Sequence, residues 1–155
     1  MADPKLQLAY QTLVDELKVQ TATLADFRSR ATTMFSVAAL IATLSTGVGF
    51  VEKGETLAPW APWVLLGVLT AVGAASMAVL WPTYPWWFVP SAGHIMARYR
   101  AGKDEDATLQ DVIRDLTGKV RSNATVLTRR SLYLRIGFVL FFVEIATLII
   151  AAGTP

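Results

Sequence analysis

Apolar side chains recur at alternating steps of four and three near both ends of the chain. The first series is Leu6, Tyr10, Leu13, Leu17, Gln20, Leu24 and Phe27, continued by Ala31, Met34, Ala38 and Ile41. The last begins at Leu109 and runs through Ile113, Leu116, Val120, Asn123, Leu127, Arg130, Leu134, Gly137, Phe141, Glu144, Leu148 and Ala151. This spacing is the seam that a helix turns toward a partner helix. In both series the surrounding residues change partway from polar to almost wholly apolar. Each therefore predicts one long helix that starts in water and ends in a membrane.

Between them lies a third apolar run, Trp60 to Trp81, with tryptophans at both ends. Tryptophan favours the membrane–water boundary, so this run predicts a span of its own. Its small residues Gly67, Ala71 and Ala75 repeat at four, a face suited either to close helix approach or to lipid contact. The reading is an all-α membrane protein with three transmembrane helices. The first and third are continuous with a cytoplasmic stalk of parallel helices. The predicted layout is a stalk helix over 1–30, spans over 31–51, 60–81 and 132–152, and a cytoplasmic region over 82–131. That region holds an aromatic loop, a short helix from Ser91 to Ala101 and the second stalk helix. Pro82, Pro85 and Pro90 prevent a regular helix through the loop. Asp3 with Pro4 suits the start of the first helix, and Asp104 or Asp106 that of the last.

Composition agrees with this layout. Hydrophobic residues make up 54% of the 155 and charged ones 17%, gathered so that the apolar runs stay nearly free of charge. Residues 1–30 carry Asp3, Asp15, Glu16 and Asp26 without an early apolar core, unlike a signal peptide. Of fourteen Lys and Arg residues, only Lys53 falls between the first two spans. The positive-inside rule then puts the N-terminus and stalk in the cytoplasm and the C-terminus outside. A net charge of +2 gives no reason to expect nucleic acid as a partner, and the absence of cysteine excludes disulfides and thiol catalysis.

Parallel stalk helices of equal length imply that residue n of the first lies near residue n+100 of the last. Gln20 then meets Asn123, and Asp26 lies near Arg129 and Arg130. These four, Gln20, Asp26, Asn123 and Arg130, form the predicted polar seam, where a buried polar pair would set register. For Asp26 the plainer alternative is a solvated ring of charge with Arg28 and Arg30. Glu144 is about 18 Å into its span, and Thr43 and Thr70 lie at matching depth as candidate hydrogen-bond partners. An ionisable residue there is costly and marks a functional site by default. Several copies of the chain would shield it better than one. It could line a cation-attracting pore, or stay protonated and donate a hydrogen bond between helices. No metal-ligand set, phosphate loop or catalytic pair is visible; His94 stands alone, and the chain does not read as an enzyme or as a holder of a cofactor.

The junction Leu24-Ala25-Asp26-Phe27-Arg28-Ser29-Arg30-Ala31-Thr32-Thr33-Met34, the Trp81-Pro82 exit and the closing stretch Val112 to Ile145 resemble a known family. It is the transmembrane effectors of the cyclic-pyrimidine (Pycsar) phage-defence systems, with the related SLATT membrane proteins. The resemblance implies an effector in the bacterial inner membrane, with the lipid bilayer as its partner; the shielding of Glu144 is the reason to expect a homo-oligomer. It implies silence until a cyclic mononucleotide arrives, and then membrane damage or depolarisation. Trp86, Arg98, Tyr99 and Arg100 combine charge with stacking surface and are candidate contacts for such a ligand; interface anchoring is their plainer role. The other reading of the chain is a non-conducting scaffold whose stalk docks a soluble partner.

Overall fold

A computed structural model describes residues 3–47, 60–82, 86, 93 and 104–153, with backbone alone for 45–47, 61–62 and 152–153. Three long helices, α1 (Pro4–Gly47), α2 (Ala61–Leu80) and α3 (Glu105–Gly153), make up nearly all of this, and no strand occurs among the described residues. Asp3 starts α1: its carboxylate accepts a hydrogen bond from the Lys5 N–H at 2.9 Å, and its carbonyl accepts from Leu6 and Gln7. From Lys5 to Thr46 no Gly or Pro interrupts the helix. α2 ends at Trp81, whose ψ of 129° is the extended backbone favoured before proline; Pro82 follows. α3 carries Glu105 and Asp106 in its first turn, where acids complement the helix dipole.

The chain divides into two compact units, and α1 and α3 contribute to both. The first comprises Met1–Ala25 and Thr83–Thr128; the second comprises Asp26–Pro82 and Arg129–Pro155. In the first unit the Asp3 N–H donates to Asp106 Oδ1, and Gln20 Nε2 donates to the Val120 carbonyl. Contacts about a hundred residues apart at both positions mean that the two helices run parallel. Leu17, Val112, Leu116 and Val120 form its core, with Tyr10, Leu13 and Val14 against them. Burying a leucine fully contributes roughly 1.5–3 kcal/mol, so this unit is held mainly by the hydrophobic effect. Where α3 begins, the buried face is Thr108 and Val112 rather than the predicted Leu109 and Ile113. Val112 is as apolar as Leu109 and Ile113, and the 3.6-residue period decides between the two pairs only once the partner is in place.

The second unit packs α1, α2 and α3 together. Ala31, Val79 and Leu134 form one cluster, and Met34, Ala38 and Val72 another. Its outer surface is apolar: Leu40, Leu44, Trp63, Leu66, Met77, Val139, Phe142, Ile149 and Ile150 are all exposed. α2 and α3 are long and apolar enough to cross a membrane. The charge-free part of α1 among the described residues, 31–47, is shorter than the 18-residue run Trp63–Leu80. The predicted first span continues to 51, and 48–51 lie outside the described residues. Trp60 and Trp63 at one end of α2 and Trp81 at the other are exposed, as interface anchors would be.

Close packing here depends on small residues, but not on the face the four-residue repeat suggested. A Cβ on Gly67 would meet nothing within 4 Å, Ala71 is only half-buried, and Ala75 alone of the three is buried. The tight point is Gly137. A Cβ there would come within 2.5 Å of Met34 Cε and 3.6 Å of Ala75 Cβ, so all three helices converge on it. The end of a methionine can yield, so Gly137→Ala is expected to cost about 1 kcal/mol. Gly137→Leu has nowhere to go and is expected to cost about 3 kcal/mol or more. Thermal unfolding of the purified protein in detergent distinguishes the two; equal melting temperatures would remove Gly137 from the packing account.

Candidate functional site

Glu144 is the most enclosed acid among the described residues. α3 carries it on the face that also buries Arg130, Leu134, Gly137, Thr147 and Ala151, and its own exposure is 0%. Neither carboxylate oxygen has a hydrogen-bond partner among the described residues. Thr43 and Thr70, expected to supply one, do not, and neither does Thr147 one turn along α3. Thr43 Oγ1 donates to the Ala39 carbonyl at 2.8 Å, Thr70 Oγ1 to Leu66 at 2.7 Å, and Thr147 Oγ1 to Val143 at 2.8 Å. Thr43 and Thr70 are also exposed. A threonine hydroxyl within a helix readily reaches the carbonyl one turn back, and that local bond wins here. A single chain already encloses Glu144, so no second copy is needed to shield it.

Fourteen residues earlier on α3, Arg130 is 2% exposed. Its Nη1 donates to the Val79 carbonyl at 2.7 Å and its Nη2 to the Trp81 carbonyl at 2.6 Å. These acceptors belong to the end of α2, where carbonyls lack partners within their own helix and the dipole is negative. One guanidinium fork therefore closes α2 and fastens it to α3. Burial, and after it the positive charge of Arg28, pulls the Arg130 guanidinium below its ordinary proton affinity. It stays charged at neutral pH because that ordinary value is so high.

Arg130 thus has no share in the predicted pairing with Asp26. Asp26 lies off the buried face, its side chain 50% exposed, and accepts from Arg30 Nε at 2.8 Å, one turn along its own helix. The buried positions beside it are Leu24 and, partly, Phe27, which leaves Asp26 facing outward. The solvated ring of charge is the arrangement found. Gln20 and Asn123 are both buried, at 7% and 0% exposure, and Gln20 is fixed by the Val120 carbonyl at 3.2 Å. The separations across the seam are 100 for Gln20 and Val120, and 103 for Asp3 with Asp106 and Met34 with Gly137. Buried amides in a seam favour one alignment over its neighbours. Asn123→Leu is expected to leave the first unit folded but loosen its register, broadening distances measured between spin labels at positions 13 and 116. An unchanged distribution would count against that role.

Of the residues suggested for a ligand, Trp86 is half-buried, and its indole N–H has no partner among the described residues. Arg98, Tyr99 and Arg100 lie outside the described residues, as do His94, Lys53 and most of the aromatic loop. Among the described residues no group of acids or histidines is placed to hold a metal ion. Sequence reasoning missed Ser76, whose buried hydroxyl also lacks a partner there, and the carbonyls of Val79 and Trp81. The signal for the carbonyls was Pro82, which ends α2 and so predicts unsatisfied acceptors just before it.

Comparison of the chain with models of protein families, with curated proteins and with solved structures finds no match.

Proposed function

We propose that the chain is an effector of the bacterial inner membrane that acts as a homo-oligomer and depolarises or permeabilises that membrane when triggered. The observation that carries this reading is Glu144, a carboxyl sealed inside an apolar helical unit with neither oxygen satisfied. Such a group is expensive to keep and is characteristic of ion and proton pathways. Enclosure is then the resting arrangement. Conduction requires the helices to part and several copies to surround a wet path. α1 and α3 belong to both units, so a ligand that favours one packing of the first could bias the second. In this reading the second unit spans the membrane three times, with 31–51 as its first crossing, the N-terminus inside and the C-terminus outside. The proposed trigger, a cyclic mononucleotide, comes from the family resemblance, with Trp86, Arg98, Tyr99 and Arg100 as its candidate contacts.

One observation favours the scaffold reading instead: a single chain hides Glu144 completely, as a purely structural carboxyl would be hidden. Ion flux from liposomes containing the purified protein separates the two. The effector reading predicts flux that appears on adding a cyclic mononucleotide and disappears in Glu144→Gln. Liposomes that stay sealed with every cyclic mononucleotide, while the protein still binds a soluble partner, would establish the scaffold.

A further inference from the structure

The second unit holds five arginines among its described residues: Arg28 and Arg30 on α1, and Arg129, Arg130 and Arg135 on α3. Phe27 and Ala31 of α1 pack in one cluster with Val79 of α2 and Leu134 of α3, which brings Arg28 to the level of Arg130. Arg130 holds the Trp81 carbonyl, which brings the end of α2 to the same place. Arg129 and Arg135 lie on either side of Arg130 along α3, about 9 Å apart along the axis. Arg130 is occupied by α2, and Arg30 by Asp26. Arg28, Arg129 and Arg135 are exposed, and none of them pairs with an acid among the described residues. The second unit's only other described acid, Glu144, is sealed away along α3.

Two aromatics share this level. Trp81 is 63% exposed and Tyr133 is 41% exposed. Just past them the exposed surface turns apolar, with Leu132, Ile136 and Val139 on α3 and Phe35 and Val37 on α1. Unpaired guanidinium groups, a tryptophan and a tyrosine are thus gathered where a polar surface meets an apolar one. Guanidinium recognises phosphate oxygens through paired N–H groups, and indole and phenol rings settle among lipid headgroups.

We propose that Arg28, Arg129 and Arg135, with Trp81 and Tyr133, form a binding collar for the phosphate of anionic phospholipids. This rests on reading the second unit as membrane-embedded. Each arginine strengthens the preference for anionic over zwitterionic lipid by about fivefold, the factor that corresponds to about 1 kcal/mol. Losing all three weakens it on the order of a hundredfold.

The test titrates phosphatidylglycerol or phosphatidylcholine into detergent-solubilised protein and follows thermal unfolding, with inorganic phosphate as a third arm. Phosphatidylglycerol should raise the melting temperature at far lower concentration than phosphatidylcholine, and free phosphate should do little. The triple variant Arg28→Gln, Arg129→Gln, Arg135→Gln should lose that preference. Lysine at the same three positions should keep part of it, and Arg114→Gln with Arg121→Gln in the first unit should keep all of it. Equal effects of the two lipids on the natural chain would overturn the collar, as would an equal effect of free phosphate or an undiminished preference in the glutamine variant. Protein that stays dissolved without detergent would instead refute the membrane reading, and the collar with it.

Discussion

Arg130→Leu is expected to lower stability by about 3 kcal/mol and to free the end of α2. The change removes two short, charge-assisted hydrogen bonds, at 2.7 and 2.6 Å, and leaves the Val79 and Trp81 carbonyls unanswered. A hydrogen bond to a charged group contributes about 1.5–3 kcal/mol, and breaking a buried charged contact by deleting one side costs about 3–5 kcal/mol. Arg130→Lys distinguishes charge from geometry. An ammonium keeps the charge but not the rigid fork that reaches two carbonyls at once, so it should recover less than half of the loss. Thermal unfolding in detergent measures both variants. Full rescue by lysine would mean that Arg130 contributes only charge at this position.

Glu144→Leu is expected to raise stability while abolishing flux. Neither carboxylate oxygen is satisfied, so removing the group relieves a desolvation penalty of about 1–3 kcal/mol. Natural membrane proteins keep such a group where function needs it. Glu144→Gln should lose flux as well, with a smaller gain in stability, because its amide is also left without partners. The paired result matters. Higher stability with unchanged flux would show that the carboxyl neither conducts nor gates, and lower stability would show that it has a hydrogen-bond partner after all.

The helical seam was legible because burial follows period. Leu17, Gln20, Leu24, Ala31, Met34 and Ala38 on α1, and Asn123, Arg130, Leu134, Gly137 and Glu144 on α3, are buried at the steps of three and four that the sequence displays. What those buried groups touch was not legible. Charge alone matches Arg130 with Asp26, because a sequence displays side-chain charges and not backbone carbonyls; the actual acceptors belong to α2. Thr43 and Thr70 lie at about the depth of Glu144 along their helices, but depth does not specify which way a side chain faces, and both bond to their own helices. Gly67 and Ala71 share a face with Ala75 by spacing alone, and of the three only Ala75 lies at Gly137, where the helices converge. In each case one helix's pattern was readable and the rotation of its neighbour was not.

The proposed function depends most on three crossings, with α1 and α3 both entering the membrane from the cytoplasm. The chain has no cysteine, so single cysteines report position without background. Lys53→Cys, in the connection between the first two crossings, and Lys5→Cys, in the first turn of α1, are exposed in turn to a membrane-impermeant maleimide on intact spheroplasts. Position 53 is expected to react at once and position 5 only after permeabilisation. Labelling of both from the same side would mean that α1 does not cross, and the proposed function would lose its basis.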